Sequence, residues 1–197
     1  MNTVIEQIKK SIEIKQRLLT DTELINQVRK AAQIITEAYQ KGFKTMLAGN
    51  GGSAADAQHL AGEFVCKFYF DRPGLPAIAL TTDTSIITAI GNDYGYDKLF
   101  ERQIQAQGTK GDVFICFSTS GNSENIVKAL MICKEKGIFS IGLTGGKGGK
   151  MEALCDICIK IPSEETPRIQ ESHILIGHIM CCLVEENLFG HLNSNKQ

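Results

Sequence analysis

The stretch that decides the fold is residues 112–123, Asp-Val-Phe-Ile-Cys-Phe-Ser-Thr-Ser-Gly-Asn-Ser. After Asp112, residues 113–117 form an unbroken apolar run, and residues 118–123 consist of hydroxyl side chains, a glycine and an asparagine. A strand that is covered on both faces has such a continuous run, whereas a half-exposed strand alternates apolar and polar residues. Residues 121–136 continue with the amphipathic spacing of a helix. The stretch therefore predicts a buried parallel strand, a polar turn and then a helix.

The same pattern recurs along the chain and predicts the fold class. Short apolar runs alternate with helical stretches, which is typical of an α/β domain with a parallel sheet covered by helices on both sides. The last long helix is predicted from about Pro167 to Leu188. The four further runs are Thr45–Ala48, Ala77–Thr81, Phe139–Thr144 and Ile157–Ile161.

The N-terminal residues 3–40 have a different pattern, which predicts two helices. The first has apolar residues at roughly helical spacing, which are Val4, Ile5, Ile8, Ile12 and Leu19. Thr20 followed by Glu23 is a capping-box pattern, so the second helix is predicted to start near Asp21 and to run to about Gln40, before Gly42. We expect one domain over residues 1–197, in which residues 1–41 serve packing or oligomerisation and residues 42–190 form the α/β core.

Composition excludes several classes of protein. The 21 Lys and Arg residues balance 22 Asp and Glu residues, which argues against nucleic-acid binding through overall charge. No apolar run approaches the roughly 20 residues of a membrane span, and the charged N-terminus does not resemble a secretory signal. The seven cysteines are an odd number and lie mostly in apolar runs. Cys155 and Cys158 form a single CxxC pair without the second pair of a zinc knuckle, so we expect a reduced, cytoplasmic protein.

Two loops at predicted strand ends suit a phosphorylated ligand. Residues 48–53 are Ala-Gly-Asn-Gly-Gly-Ser, and a helix follows at once. Glycines let the backbone approach a ligand closely, and a helix N-terminus favours an anion. Residues 118–123 place four hydroxyl side chains at another helix start. A helix cap needs only one hydroxyl, so this loop favours a phosphate monoester site over a simple cap.

A third group of residues suits acid/base or metal chemistry. His59 and Glu63 are four apart on a predicted helix, hence on one face, although such pairs also occur as solvated surface pairs. His178 lies in an apolar stretch, where a buried structural histidine is the alternative. Gln170 and His178 are about 12 Å apart along a straight helix. Either Gln170 precedes the regular helix, or the two side chains reach one site from different subunits.

Four segments in order resemble one branch of a known family. They are GNGGSAADAQHLAGEF (49–64), AIGNDYG (89–95), FSTSGNS (117–123) and TPRIQESHILIGHI (166–179). The chain resembles the phosphoheptose isomerase branch of the sugar isomerase (SIS) domain family over essentially its whole length. This resemblance implies a flavodoxin-like five-stranded parallel sheet with an N-terminal helical extension, assembled as a homotetramer. It also implies interconversion of sedoheptulose 7-phosphate and D-glycero-D-manno-heptose 7-phosphate, an early step toward heptose for lipopolysaccharide or capsule.

The resemblance further implies the roles of individual residues. One zinc ion per subunit would be held by His59, Glu63, Gln170 and His178, and Glu63 and His178 would be the acid/base pair. His173 is a further candidate for which a structural role is favoured, and Pro167 departs from an aspartate of some members. The implied substrate contacts are Asn50, Gly51, Gly52, Ser53, Glu63, Asn92, Asp93, Ser118, Thr119, Ser120, Ser123 and Gln170.

Other members of the same superfamily remain alternatives. The DnaA initiator-associating protein is a non-catalytic tetrameric adaptor that shares the fold and both loops but lacks residues matching Glu63 and His178. The His59/Glu63 and Gln170/His178 pairs argue against another sugar-phosphate isomerase, such as one for arabinose 5-phosphate or a hexosamine phosphate. A sugar-phosphate sensor would keep only the serines. The presence of Glu63 and His178 favours the heptose enzyme.

Overall fold

The computed structural model describes residues 2–193, which form seven α-helices, two short 3-10 helices and five strands. The α-helices are α1 (Thr3–Thr20), α2 (Thr22–Gln40), α3 (Gly52–Val65), α4 (Thr84–Asp93), α5 (Leu99–Gln107), α6 (Glu124–Lys136) and α7 (Thr166–Asn193). The strands are β1 (Thr45–Ala48), β2 (Ala77–Ala79), β3 (Val113–Ser118), β4 (Phe139–Gly145) and β5 (Ile157–Ile161). The 3-10 helices cover Tyr96–Lys98 and Gly149–Ala153.

The five strands form one parallel sheet in the order β2-β1-β3-β4-β5. This is the predicted flavodoxin-like order, and the prediction of five buried runs is confirmed. Every residue of β1 and β3 is buried, since both strands have neighbours on each side and helices on each face. β2 is shorter than the predicted run and ends at Ala79, after which the chain turns toward α4.

The strand order reverses between β1 and β3, and the two predicted ligand loops follow these two strands. In open parallel sheets, ligands bind in the crevice outside the strand ends at such a switch point. Two hydrogen bonds join the loop after β1 to the first turn of α6, which follows the other loop. Asn50 Nδ2 donates to Asn125 Oδ1, and Asn125 Nδ2 donates to Asn50 Oδ1, each over 2.9 Å.

The two N-terminal helices exist as predicted, but the residue that caps α2 differs. Asp21, not Thr20, is the N-cap, because its Oδ1 accepts from Leu24 N at 2.9 Å. Thr20 is the last residue of α1, and its hydroxyl donates to the carbonyl of Arg17. Both residue types cap helices well, so the sequence could not separate two adjacent candidates.

α1 leaves most of its apolar side uncovered within one chain. Its buried residues are Ile14 and Leu18. The residues whose spacing predicted the helix are all half or more exposed, and these are Val4, Ile5, Ile8, Ile12 and Leu19. Two ion pairs, Lys10–Glu165 and Lys15–Glu171, link α1 to the start of α7.

α3 and α7 lie side by side, and both begin near the carboxyl ends of the strands. They are in close contact at Gly177, where an added Cβ would come within 2.4 Å of Leu60 Cδ1. α7 runs from Thr166 to Asn193, beyond the predicted end at Leu188. Among residues 2–193, the structure contains no helix with both the length and the apolar character needed to cross a membrane.

Candidate active site

Three of the four predicted metal ligands meet beside the α3–α7 contact. His59 Nε2 lies 3.1 Å from Glu63 Oε1, since the two residues are one turn apart on α3. His178 Nε2 on α7 lies 3.2 Å from His59 Nε2. One ligand atom from each residue lies within 4.8 Å of the other two. We call these three residues the His–Glu–His cluster.

His178 is partly shielded from water inside this cluster. Its ring lies 4.9 Å from the ring of His59 and 5.6 Å from the ring of Phe68, measured between centroids. Burial is the largest effect that lowers the pKa of His178, and the nearby His59 lowers this pKa further, while Glu63 opposes the shift. His178 thus favours its neutral form, which can accept a proton or bind a metal.

The hydroxyl loop after β3 gathers its side chains at the start of α6. Ser118 Oγ lies 2.8 Å from Ser123 Oγ and 3.4 Å from Ser120 Oγ. Ser123 is the N-cap of α6, yet its side chain makes no capping bond. Its hydroxyl pairs with that of Ser118 instead, so the first N–H groups of α6 have no side-chain cap and can bind an anion. Gly121 has φ +67°, and an added Cβ would lie 2.0 Å from the carbonyl oxygen of Gly148.

The glycine loop after β1 is in contact with α7. An added Cβ at Gly52 would lie 2.7 Å from Gln170 Nε2, so glycine lets the Gln170 amide rest against this backbone. Gln170 is already within α7, and its amide lies at the start of α3, about two helical turns before His59. Ser53 is buried in the first turn of α3.

The predicted contacts of α4 lie at its carboxyl end. Asn92 Nδ2 donates to Asp93 Oδ1 at 2.7 Å, and both side chains are exposed. Three residues further on, Tyr96 donates its hydroxyl proton to Asn50 Oδ1 at 2.8 Å. The segment after α4 is thereby tied to the glycine loop.

His173 has the structural role that the sequence favoured. It is fully buried, and its Nε2 lies 3.2 Å from the carbonyl oxygen of Thr144. Burial lowers the pKa of His173 to about 4, so this ring is neutral near pH 7. Its Nδ1 has no hydrogen-bond partner among residues 2–193.

Sequence reasoning missed several residues around the site. Asp56 lies one turn before His59, and one carboxylate oxygen, Oδ2, is buried without a hydrogen bond from any described residue. Burial raises the pKa of Asp56 to about 6, although His59 opposes this shift. Phe68, Tyr96 and Asn125 were missed too, since an aromatic residue or an amide outside a motif carries no signal of its own.

The His–Glu–His cluster fits the zinc ion that the family resemblance implies. Two imidazole nitrogens and a carboxylate oxygen are ligands that zinc prefers in proteins. His59 Nε2 and His178 Nε2 face each other at 3.2 Å, so both can turn toward one cation. The chemistry of the donor set therefore agrees with zinc.

The chain is similar to known proteins over most of its length. The SIS domain family model matches residues 8–145. The phosphoheptose isomerase of Aneurinibacillus thermoaerophilus is 67% identical over 182 residues, which cover 92% of each chain. Phosphoheptose isomerase 2 of Campylobacter jejuni is 66% identical over 95% of this chain and 93% of its own. This chain belongs to the phosphoheptose isomerase family.

A solved structure of a phosphoheptose isomerase agrees with this membership. The phosphoheptose isomerase of Neisseria gonorrhoeae superposes with a TM-score of 0.88 at 41% identity, over 93% of this chain and 97% of that chain. The predicted α/β fold and the resemblance to phosphoheptose isomerases are both confirmed. Glu63 and His178, whose presence in the sequence favoured the enzyme over the adaptor alternative, lie in one cluster.

Proposed function

We propose that this chain is an aldose–ketose isomerase that interconverts sedoheptulose 7-phosphate and D-glycero-D-manno-heptose 7-phosphate. The observation that carries the proposal is the meeting of Glu63 and His178 beside His59. These residues come from different helices and from distant parts of the sequence. Both helices begin at the edge of the sheet where the hydroxyl loop lies. Membership of the phosphoheptose isomerase family supports the same reaction.

The reaction needs a base that removes a proton from one carbon and an acid that returns a proton to the neighbouring carbon. A proton leaves C1 of the ketose, and a proton is added at C2 to give the aldose, through an enediolate. His178 suits the base because its pKa is lowered and the neutral ring can accept a proton. Glu63 suits the partner that returns a proton to the other carbon, at the distance set by the α3–α7 contact.

The hydroxyl loop suits the phosphate end of the sugar. Ser118, Ser120 and Ser123 bring their hydroxyls together at the start of α6. Thr119 belongs to the same loop, and the glycine loop faces it across the switch point. We propose that this loop and Asn50, Gly51, Gly52, Ser53, Asn92, Asp93 and Gln170 bind the substrate. Their contribution is positioning, because the phosphate lies far from the reacting carbons.

We propose zinc as the cofactor, one ion per subunit, held by the His–Glu–His cluster. When bound, zinc polarises the sugar carbonyl and stabilises the negative charge that develops on it. Gln170 is the proposed fourth ligand. Within one chain, the Gln170 amide lies against Gly52, about two helical turns before His59. We therefore propose that a second subunit supplies the Gln170 ligand.

We propose a homotetramer on the basis of one continuous apolar surface. The exposed apolar side of α1 adjoins a groove of about 520 Å³ between α1, α2 and α7, whose lining includes Leu19, Ile25, Leu175 and Ile179. Monomers seldom expose large contiguous apolar patches. Docking of further copies through α1 and α7 would cover it.

The cellular role is proposed from the same family membership. The product would supply heptose for lipopolysaccharide or capsule. All seven cysteines are free thiols, which suits a reducing compartment such as the cytoplasm.

The direct test is incubation of the purified protein with sedoheptulose 7-phosphate. We expect a phosphorylated heptose that reacts as an aldose, detected by nuclear magnetic resonance. Arabinose 5-phosphate and glucosamine 6-phosphate serve as control substrates and should turn over far more slowly. A chelator should abolish turnover, and added Zn²⁺ should restore it. Absence of turnover with every sugar phosphate, with zinc present, would favour the adaptor alternative.

A further inference from the structure

A completely buried ion pair lies directly behind the His–Glu–His cluster. Arg72 Nε donates to Glu185 Oε1 at 2.9 Å, and each side chain is only 1% exposed. Arg72 lies in the loop after α3, whereas Glu185 lies on α7. The pair therefore joins the two helices that carry the cluster.

Arg72 also holds the carboxyl end of α3. Its guanidinium donates to the carbonyl oxygens of Phe64 (2.8 Å), Glu63 (2.9 Å) and Pro73 (3.0 Å). The last carbonyls of a helix have no partner within the helix, so a cation with several donors satisfies them well. One of these carbonyls belongs to Glu63 itself. Arg72 thus fixes the backbone that carries the catalytic carboxylate.

Glu185 fastens the loop that covers His178. Its two carboxylate oxygens accept from Phe68 N at 2.8 Å and from Tyr69 N at 2.7 Å. The ring of Phe68 then lies 5.6 Å from the ring of His178. Glu185 follows His178 by seven residues, which is about two turns of α7 and hence nearly the same face.

We propose that Arg72 and Glu185 are positioning residues for the isomerase reaction. They hold Glu63 and His178 at their working separation by joining the end of α3 and the Phe68 loop to α7. Stability alone is a poor reason for such a pair, because well-packed apolar residues often replace a buried ion pair without loss of stability. The contacts with Glu63 and with the Phe68 loop indicate instead that the ion pair positions the groups that carry out the reaction. This inference rests on the proposed function.

The first test is Arg72→Lys, measured beside the wild type. Lysine keeps the charge, but it lacks the planar fork that reaches Glu185 and three carbonyls together. Small displacements of catalytic groups can cost about a hundredfold in rate. We expect kcat to fall at least about tenfold per folded molecule. KM for the sugar phosphate should change less than about threefold, because the hydroxyl loop is untouched.

The matched control is another carboxylate that is buried and ion-paired, far from the site. Asp112 pairs with Lys44 and accepts from the N–H groups of Lys44 and Thr109, before the amino ends of β1 and β3. Asp112→Asn should lower the melting temperature, yet the folded fraction should keep the kcat of the wild type. A merely structural role of Arg72 would give the same result for Arg72→Lys.

A second variant and a second readout keep the inference testable if Arg72→Lys folds poorly. Arg72→Met combined with Glu185→Met removes both charges together and leaves neither unpaired. The affinity of the His–Glu–His cluster for Co²⁺, followed by absorption, reports the geometry without any turnover. We expect both variants to bind Co²⁺ at least about tenfold more weakly than the wild type. Wild-type kcat and Co²⁺ affinity in either folded variant would overturn the inference.

The two proposals fail in different ways. A wild type that isomerises no sugar phosphate contradicts the proposed function, and the Co²⁺ titration still decides whether the pair positions the cluster. A wild type that isomerises, together with variants that match it in kcat and Co²⁺ affinity, contradicts the positioning role alone.

Discussion

Two histidines on α7, five residues apart, have different roles because their rings face different surroundings. His173 points into the core beside Phe117 and is fully buried. His178 lies at the cluster with His59 and Glu63 and remains partly accessible. A buried imidazole favours the neutral form and acts as a fixed hydrogen-bonding group. An imidazole at a cleft can exchange protons with a substrate.

Replacement of either member of the acid/base pair should abolish most activity. Glu63→Gln and His178→Asn remove the proton-transfer group and keep similar volume, so each should lower kcat by at least about a hundredfold. Circular dichroism should show an unchanged fold, since neither side chain lies in the core. Glu186→Gln, at an exposed position on α7, is the control and should keep full activity. Full activity of His178→Asn would show that this ring is not the base.

His173 should make the protein less stable in mild acid. Its pKa is about 4 in the folded chain and about 6.5 in the unfolded chain, so the unfolded state binds the proton first as the pH falls. Stability is therefore lost as the pH drops from about 6.5 toward 4. The loss between pH 7 and pH 5 amounts to about 2 kcal/mol.

Urea unfolding at pH 7 and pH 5 measures this contribution. His173→Gln keeps a donor for the Thr144 carbonyl but has no ionisable ring, so its stability should fall less between the two pH values. His191→Gln, at an exposed position near the end of α7, should keep the pH dependence of the wild type. Equal pH dependence in wild type and His173→Gln would contradict the assignment of the shift to this residue.

Individual site residues could be predicted only where a motif or a family pattern marked them. The meeting of His59, Glu63 and His178 was predicted, and the structure brings them together. The contact of Gln170 with Gly52 depends on how α7 lies against α3, which no local pattern encodes. Asp56, Phe68 and Arg72 were missed for the same reason. Their importance arises from neighbours that are distant in sequence.

At the scale of elements, the α3–α7 contact sets the distance between the proposed catalytic groups, Glu63 and His178. Gly177 has no side chain, and Leu60 fills the space beside it. Leu60 is 1% exposed and has little room to move. The backbone of α7 can therefore approach α3 closely enough for His178 to meet His59.

Gly177→Ala should separate the two helices and weaken catalysis. The new methyl group would meet Leu60, and overpacking of this kind typically costs about 1–3 kcal/mol. We expect kcat to fall about tenfold and the urea midpoint to decrease. Gly62→Ala on α3 is the control, because an added Cβ there meets open space. That variant should be active and slightly more stable, since alanine favours a helix over glycine by about 1 kcal/mol. Wild-type kcat in Gly177→Ala would contradict the role of this contact.

The elements themselves were largely predictable because their signals are local. Continuous apolar runs predicted the five strands, since the sheet is covered on both faces. The ends of elements were less predictable. α7 continues past Leu188 because glycine within a helix weakens it without ending it, and the sequence there contains no proline. The structure begins α2 at Thr22, one residue after the predicted start, because Asp21 rather than Thr20 is the N-cap.

At the scale of the whole molecule, α1 buries only Ile14 and Leu18 of its 18 residues within one chain. Its spacing predicted a helix correctly, yet an apolar stripe looks the same whether it packs on its own chain or on another copy. In the structure, Ile14 and Leu18 face the chain, while the wider stripe faces outward. The sequence alone could not separate these two faces.

A charge on the outward stripe should break the proposed tetramer without unfolding the chain. Ile8 and Ile12 are about half exposed, so Ile8→Asp together with Ile12→Asp removes little packing within one chain. Light scattering should show smaller species, and circular dichroism should retain the helical signal. Arg17→Asp is the control, because it introduces an aspartate on the opposite side of α1 from Ile8. This variant should leave the assembly intact. A wild-type mass for the double variant would exclude this stripe as the interface.

The length of α7 has one more consequence. A single helix carries Gln170 at the glycine loop, the buried His173 beside β4, the proposed catalytic imidazole of His178 and the Glu185 carboxylate that pairs with Arg72. The proposed reaction centre therefore cannot stay complete while this helix melts. Thermal inactivation and the loss of the helical circular dichroism signal should therefore follow one common curve. No partly active intermediate should be populated during heating.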